Sequence, residues 1–147
     1  LQEIQRMVLA RQDANPLVAY KGAQVRRYRD TLYAAWTQDS TDLRPHEWHP
    51  AMPLRLAWGA LRGEPALGDG IARTALSGGP VAVRFRVGGE RCQLPGRGHR
   101  HTLKHLFQQG GVPPWQRADT PLIYIDGQLA AVAGYCVCEP YAAAPGE

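Results

Sequence analysis

The stretch PLIYIDGQLAAVAGYCV, residues 121–137, decides the fold of this chain. Two apolar runs, 121–125 and 128–137, are separated by the pair Asp126-Gly127. Such a pair between apolar runs is the strongest local signal for a β-hairpin closed by a type I′ turn. Because both runs are almost continuously apolar, we expect this hairpin to lie at the centre of the hydrophobic core.

A strand pattern and a helix pattern precede this hairpin. In VAVRFRV (81–87), apolar residues alternate with small or basic ones, which predicts a half-buried strand that Gly88-Gly89 turns into ERCQL. TLKHLFQQGG (102–111) predicts a helix with Thr102 as its N-cap and Gly110 or Gly111 at its end. The apolar face of that helix, expected to pack on the hairpin, consists of Leu103, Leu106 and Phe107.

The first half of the chain gives weaker signals. A helix is predicted from residue 1 to about residue 13, ending before Pro16, on the apolar spacing of Leu1, Ile4, Met7 and Val8. VRRYRDTLYAAW (25–36) fits either a helix face or a tight hairpin, and its β-branched and aromatic content favours the hairpin. Residues 37–53 are interpreted as a polar connector, PLRLAWGAL (53–61) as one strand and residues 141–147 as a frayed tail.

Composition limits the class of protein. A chain of 147 residues with 44% apolar and 20% charged residues has room for one domain, or one small domain plus part of another. No apolar run approaches the ~20 residues of a membrane span, and the polar start LQEIQR is unlike a signal peptide. Since the chain also begins with Leu1, we interpret it as a piece of a longer polypeptide.

The chain has three cysteines, Cys92, Cys136 and Cys138, and no secretory context. An odd number of cysteines in that setting predicts buried thiols in a reducing cytosol.

Catalytic and metal sites have little support. Neither serine, Ser40 or Ser77, lies in a nucleophile elbow, and SGGP (77–80) lacks the helix and the Asp-Ser pair of a pyrophosphate loop. His101 and His105 have the spacing of two ligands on one helix face, with His99 nearby, but no C-x-x-C motif accompanies them. We therefore predict neither a catalytic residue nor a bound metal in this stretch.

Positive charge is the most informative feature that remains. The net charge is +4, and Arg supplies 15 of the 17 basic residues, which either reflects coding bias or suits phosphate recognition. Arg84 and Arg86 are expected to project from one side of a strand. The segment that follows carries Arg91, Arg97, His99, Arg100, His101, Lys104 and His105. A basic loop entering a helix suits phosphate oxygens, and a solvated charged face is the alternative.

A longer pattern resembles a known family. The stretch from VRFRVGGERCQL through LKHLFQQGGVPPWQR to PLIYIDGQLAAVAG is similar to the C-terminal domain of bacterial tRNA(Ile)-lysidine synthases. RQDANPLVAYKGAQVRRYRDTLYA (11–34) resembles the end of the middle, substrate-binding domain of the same enzymes. The resemblance covers most of residues 1–140, and residues 37–75 add little to it.

The resemblance implies an activity that this stretch does not perform by itself. Enzymes of the family are ATP-dependent ligases that adenylate the wobble cytidine of the isoleucine tRNA with a CAU anticodon, after which lysine displaces AMP. That chemistry belongs to an N-terminal domain with a Ser-Gly-Gly-x-Asp-Ser loop, and no such loop occurs here. The resemblance therefore implies no cofactor in this fragment, with ATP bound in the parent enzyme's N-terminal domain, and an isolated chain without ligase activity.

The same resemblance implies an organisation and partners. It implies an α+β fold with a β-sandwich-like core of short antiparallel strands and a flanking helix, as in a domain of the phenylalanyl-tRNA synthetase β chain. Residues 1–24 would end the middle domain as a helical remnant, and residues 25–140 would form a cytoplasmic tRNA-binding domain that grips the tRNA body toward its acceptor stem. Its partners would be tRNA(Ile) and the enzyme's own N-terminal catalytic domain; a homodimer is compatible with the sequence but is not implied by the resemblance. The candidate tRNA-binding residues are Arg84, Arg86, Arg91, Arg97, Arg100, His101, Lys104 and Arg117. A protein-interaction or dimerisation module with an incidental basic surface is the alternative.

Overall fold

The computed structural model describes residues 2–11, 14, 16–37 and 42–147. The chain divides into two compact units, Leu1–Ser40 and Thr41–Glu147, each of which is described by itself. Within the described ranges the longest helix has 8 residues, and none has the length and hydropathy of a membrane-spanning helix.

The first unit consists of one helix and a three-stranded antiparallel meander. Its elements are α1 (Gln2–Leu9), β1 (Leu17–Tyr20), β2 (Ala23–Tyr28) and β3 (Thr31–Trp36), with the sheet order β1-β2-β3. The hairpin interpretation of residues 25–36 is confirmed, because β2 and β3 pair across a turn at Arg29-Asp30 in which Arg29 has φ 52°. Arg27 donates from its guanidinium to the Val8 carbonyl at 2.9 Å, so a basic side chain caps the C-terminus of α1.

The predicted boundary between residues 24 and 25 does not coincide with the division of the structure. It falls inside β2, whose neighbours β1 and β3 belong to the same compact unit. The backbone hydrogen bonds of a sheet hold its strands together, so the division comes after β3. Leu1 of the predicted helix face and residues 38–41 of the predicted connector lie outside the described residues.

The second unit is built around a five-stranded antiparallel sheet. Its strands are β4 (His46–Glu47), β7 (Val81–Arg84), β10 (Leu122–Ile125), β11 (Gln128–Val132) and β12 (Cys136–Val137), in the order β12-β11-β10-β7-β4. The predicted hairpin is confirmed as β10–β11, with positive φ angles of 47° at Asp126 and 75° at Gly127. Its strands lie in the middle of the sheet and are largely buried.

Short elements surround this sheet. They are β5 (Leu54–Leu56), β6 (Gly59–Leu61), α2 (Arg73–Leu76), β8 (Arg91–Cys92), β9 (His101–Thr102), α3 (Leu103–Gln109) and α4 (Pro114–Arg117). The predicted helix is confirmed as α3, whose N-cap hydroxyl on Thr102 accepts a hydrogen bond from the His105 backbone N–H. The core of the second unit contains Cys92, Leu103, Leu106, Phe107, Leu122, Val132 and Cys138.

The predicted strand 81–87 is shorter than its alternation suggested. In the register of β7 and β10, Leu122 pairs with Arg84, so the next position would face Pro121, which has no N–H for the ladder. The side chain of Val87, expected inside, is 94% exposed. Gly88-Gly89 does not close a hairpin between β7 and β8 either, because β8 pairs with β9.

Three further expectations are corrected by the observed strand pairing. PLRLAWGAL forms the hairpin β5–β6 rather than one strand, and the polar connector supplies the edge strand β4. The tail predicted to fray is held, because Ala142 bridges to Ile71 and the Ala143 N–H donates to the Gly70 carbonyl at 2.9 Å. The architecture is therefore α+β with several small antiparallel sheets and few helices.

The cysteines also differ from the expectation of three thiols. Cys92 and Cys138 form a disulfide, with their Cα atoms 5.3 Å apart, and Cys136 is free. Burial raises the pKa of the Cys136 thiol to about 11. The disulfide joins β8 to the residue that follows β12 and so ties a surface hairpin to the end of the main sheet.

Candidate nucleic-acid interface

Five of the eight predicted tRNA-binding residues lie on one hairpin, here called the basic hairpin (residues 91–105). It consists of β8, an eight-residue loop (93–100), β9 and the first turn of α3. β8 and β9 are antiparallel, with Arg91 opposite Thr102 and Cys92 opposite His101. The exposed cations of the basic hairpin are Arg91, Arg97, Arg100 and Lys104.

The base of the basic hairpin is anchored in three ways. Cys92 is buried and covalently joined to Cys138. The carbonyl of Gln93 accepts a hydrogen bond from the Glu139 N–H at 2.7 Å, and the Leu103 N–H donates to the Glu90 carbonyl at 3.0 Å. The cations are therefore presented from a fixed base rather than from a free loop.

The loop itself has local order. The Arg97 N–H donates to the Leu94 carbonyl at 3.0 Å, and the Gln93 side-chain amide donates to the Arg97 carbonyl at 2.9 Å. Gly96 has φ 72°, a left-handed conformation that glycine adopts without strain. These bonds use only the backbone of Arg97, so its guanidinium remains exposed.

Positive charge on the basic hairpin is uncompensated along the sequence. No Asp or Glu occurs between Glu90 and Asp119. In the part of the chain that the structure describes, none of the four exposed cations forms an ion pair, whereas Arg44 contacts Asp42 at 2.7 Å. Unpaired arginines on a fixed scaffold can bind anions without first breaking an internal salt bridge.

Three imidazoles form a row along the basic hairpin. The ring centroids of His99 and His101 are 4.3 Å apart, and those of His101 and His105 are 5.5 Å apart with planes 11° from parallel. Nε2 of His101 is buried without a hydrogen-bond partner among the described residues. This desolvation, followed by the positive charges of His99 and Arg97, lowers the pKa of His101 below 6.5.

The lowered pKa of His101 predicts a pH dependence of stability. Its folded-state pKa lies below the unfolded value, so the unfolded chain binds more protons and stability falls as the pH decreases through 6.5. We expect the free energy of unfolding to decrease between about pH 8 and about pH 5. Denaturant titrations at both pH values should show a smaller decrease for His101→Gln. An equal decrease in both proteins would contradict this assignment.

Arg84 and Arg86 lie at the end of β7 and differ from each other. The guanidinium of Arg84 is exposed and stacks over the Tyr124 ring at 4.7 Å from its centroid. The side chain of Arg86 is only 26% exposed, and its Nε lies 4.0 Å from a carboxylate oxygen of Glu90. Both were expected to project from one strand face, but Arg86 lies beyond the end of β7.

A polar cleft of about 180 Å³ connects the basic hairpin with the main sheet. Arg91 and Arg100 line it from the hairpin, Tyr124 and Gln128 from β10–β11, and Glu139 from the segment after β12. Tyr124 and Gln128 were not among the predicted site residues. The sequence offered two signals for them. One was the Tyr124 hydroxyl within the apolar run LIYI, and the other was Gln128, directly after the Asp-Gly turn.

Arg117, one of the predicted tRNA-binding residues, is not part of this surface. It is 8% exposed, and its Nε donates to the Val112 carbonyl at 2.8 Å. The short helix α4, which begins at Pro114, turns this side chain back toward the loop that precedes it. A buried guanidinium bonded to the backbone is not available to an external phosphate, so we remove Arg117 from the candidate site.

Metal-ligating side chains are not grouped on the part of the basic hairpin that the structure describes. Among the described residues, no group of three or more His, Cys, Asp or Glu side chains is placed to hold a metal ion. The row of histidines lies among cations, which disfavours binding of a further cation. The chemistry available at this surface is anion recognition by guanidinium, ammonium and imidazole groups.

Comparison with known proteins identifies the family. A family model described as "TilS substrate C-terminal domain" matches residues 81–147, and one described as "TilS substrate binding domain" matches residues 1–33. A tRNA(Ile)-lysidine synthase from Coxiella burnetii is 41% identical over 93% of this chain. The chain belongs to the tRNA(Ile)-lysidine synthase family.

Two further members of the tRNA(Ile)-lysidine synthase family show how much of the enzyme is present. The protein from Photobacterium profundum is 38% identical over 96% of this chain and 33% of its own length. The protein from Methylococcus capsulatus is 36% identical over 83% of this chain and 28% of its own length. The match to the Coxiella burnetii synthase covers 31% of that protein. The chain thus spans about a third of the length of these relatives.

Proposed function

We propose that residues 42–147 bind tRNA through the basic hairpin, as part of an ATP-dependent ligase that joins lysine to the wobble cytidine of tRNA(Ile). The observation that carries the proposal is the set of four exposed cations, free of ion pairs with other described residues, on a hairpin whose base is fixed by the buried Cys92 and by the hydrogen bond from the Glu139 N–H to the Gln93 carbonyl. The family membership supplies the substrate class, since its members are named for tRNA(Ile).

The chemistry of the hairpin suits the outside of a folded RNA. The major groove of A-form RNA is too deep and narrow for side chains to read, so proteins recognise the shape, phosphates and 2′-hydroxyls of double-stranded RNA. Arg91, Arg97, Arg100 and Lys104 supply charged donors for phosphate, and exposed His99 and His105 supply further donors. Interactions of this kind position an RNA without reading its sequence. Within this proposal the hairpin holds the tRNA body toward the acceptor stem, and the anticodon is read by another part of the enzyme.

The proposal assigns no cofactor, metal or catalytic residue to this stretch. ATP and lysine would bind in a catalytic domain of the parent enzyme. That catalytic domain would be a partner of the two compact units. The parent enzyme would act in the cytoplasm. The small antiparallel sheets with α3 agree with a β-sandwich-like domain of the kind found in the phenylalanyl-tRNA synthetase β chain. We propose that the second unit has a fold of that kind.

A protein-interaction module is less well supported by the second unit. Its exposed large apolar residues, which include Met52, Leu67 and Val87, come from separate segments of the chain. An interaction surface is better indicated by a contiguous apolar patch. Association of this chain with itself, detected by sedimentation, together with no measurable binding of tRNA at low salt, would favour the module instead.

Reversing two charges of the basic hairpin tests the proposal. Arg97→Glu combined with Arg100→Glu should weaken tRNA binding by at least about tenfold at low salt, because attraction to phosphate is replaced by repulsion. The slope of log affinity against log salt should become shallower by about 0.7–0.9 for each phosphate that is no longer neutralised. Filter-binding titrations of the same chain at several salt concentrations measure both quantities.

The control is Arg73→Glu, which reverses an exposed arginine on α2, outside the hairpin. It should change affinity far less, and none of the variants should shift Tm appreciably, because these side chains are exposed. The loss should be similar for tRNA(Ile) and an unrelated tRNA, since phosphates carry no sequence. Unchanged binding by the folded double variant would refute the assignment of the basic hairpin.

A further inference from the structure

Glu90 is a carboxylate in the midst of the cations. It is the only acidic residue between Asp69 and Asp119, and it directly precedes Arg91 at the base of the basic hairpin. By charge alone, it would oppose the binding of an RNA. Its side chain, however, is only 6% exposed at the edge of the polar cleft, so little of the carboxylate is accessible to a ligand.

The buried carboxylate holds the turn that follows β7. One oxygen accepts the backbone N–H groups of Val87 at 2.6 Å and Gly88 at 3.0 Å. The other accepts from Gly88 at 3.1 Å and lies 4.0 Å from Nε of Arg86. That Nε is buried and has no hydrogen-bond partner among the described residues, so the Glu90 carboxylate is the charge that offsets its burial.

The backbone of Glu90 holds a second element. Its carbonyl accepts the N–H of Leu103, the first residue of α3. One residue therefore connects the turn bearing Arg86, the start of β8 at Arg91 and the start of the helix that carries Lys104. The relative placement of these cations depends on this junction, because no other side chain accepts from Val87 or Gly88 among the described residues.

We propose that Glu90 is a positioning residue for tRNA binding, which fixes Arg86 and the 86–90 turn against the base of the basic hairpin; this rests on the proposed function. Positioning by Glu90 and simple electrostatics predict opposite changes in RNA affinity when the carboxylate is removed. Removing a negative charge from a basic surface should strengthen RNA binding if only charge matters. Removing Glu90 should weaken it, because the cations lose their arrangement.

Two substitutions of Glu90 and one control variant test whether removal of the Glu90 carboxylate weakens or strengthens tRNA binding. Glu90→Ala removes the charge and both carboxylate oxygens that accept from the Val87 and Gly88 N–H groups. It should weaken tRNA binding by about three- to tenfold at about 0.1 M salt, as expected when about one phosphate is no longer bound. Glu90→Gln keeps an oxygen for the turn and places an amide donor toward Arg86, so it should give a smaller loss. Glu139→Gln removes an exposed carboxylate from the same cleft and should leave binding unchanged or strengthen it.

A double variant separates positioning from general destabilisation. The loss caused by Glu90→Gln should largely disappear in an Arg86→Ala background, because the residue it misplaces is then absent. Thermal melting identifies the folded variants, and if Glu90→Ala does not fold, the Glu90→Gln comparison decides. Tighter or equal binding by folded Glu90→Gln, or a loss that persists undiminished with Arg86→Ala, would overturn the proposal. Failure of the unmodified chain to bind tRNA would instead refute the proposed function.

Discussion

Truncation of Phe107 to Ala is expected to destabilise the second unit by about 3–5 kcal/mol. The Phe107 side chain is 1% exposed and lies on the buried face of α3 in the core of this unit. Its ring centroid is 5.9 Å from that of Tyr135, whose hydroxyl donates to the Leu106 carbonyl of the same helix. The cavity left by alanine cannot collapse easily between a helix and a hydrogen-bonded sheet, so both transfer and cavity terms contribute.

Guanidinium unfolding, followed by circular dichroism, measures this loss. Gln109→Ala is the matched control, because Gln109 is an exposed residue on the same helix and its truncation should change stability by no more than about 0.5 kcal/mol. Phe107→Leu, which keeps most of the volume, should give an intermediate loss. A loss below about 1 kcal/mol for Phe107→Ala would mean that α3 packs peripherally.

Local signals account for what the sequence predicts correctly. The Asp-Gly turn of the β10–β11 hairpin, the Thr102 cap of α3 and the hairpin at residues 25–36 each depend on a few neighbouring residues. Backbone propensity, capping and turn geometry act over that distance. The apolar face of α3 follows from the same helical periodicity, which is why its buried residues were also identified.

Long-range pairing accounts for most of the differences, the local β5–β6 hairpin excepted. Alternation along 81–87 indicates which faces a strand presents, but its length is set by the partner strand, where Pro121 ends the ladder. The tail from residue 141 is ordered by a segment near residue 70, which nothing in its own sequence indicates. Cys92 and Cys138 are 46 residues apart, so spacing alone could not pair them.

The candidate site was predictable to the extent that it is continuous in sequence. The cations from Arg91 to Lys104 share one hairpin because they lie on consecutive short elements. Arg117 looked equivalent in composition, but a short proline-initiated helix buries it against the Val112 carbonyl. The polar cleft between the basic hairpin and the main sheet is also lined by residues of other elements, namely Tyr124, Gln128 and Glu139. Only the folded sheet brings these residues to the cleft.

Loss of the Cys92–Cys138 disulfide is expected to reduce stability by about 4 kcal/mol. The bond closes a loop with a sequence separation of 46 residues, which restricts the unfolded chain and so lowers its entropy. Complete reduction of the protein, or the Cys92→Ser substitution, should produce this loss. Denaturant titrations with and without a phosphine reductant measure it, and Cys92→Ser should no longer respond to the reductant.

Thiol counting supplies the control for this last prediction. The unreduced protein, once unfolded, should expose one reactive thiol, Cys136, and the reduced protein all three. In the folded protein Cys136 should react slowly, because burial raises its pKa to about 11 and leaves little thiolate. Cys136→Ser should keep the response to the reductant, since the disulfide does not involve it. Equal stability of the fully reduced and oxidised proteins would show that burial of Cys92 and the hydrogen bond from the Glu139 N–H to the Gln93 carbonyl, rather than the covalent bond, hold the basic hairpin to the sheet.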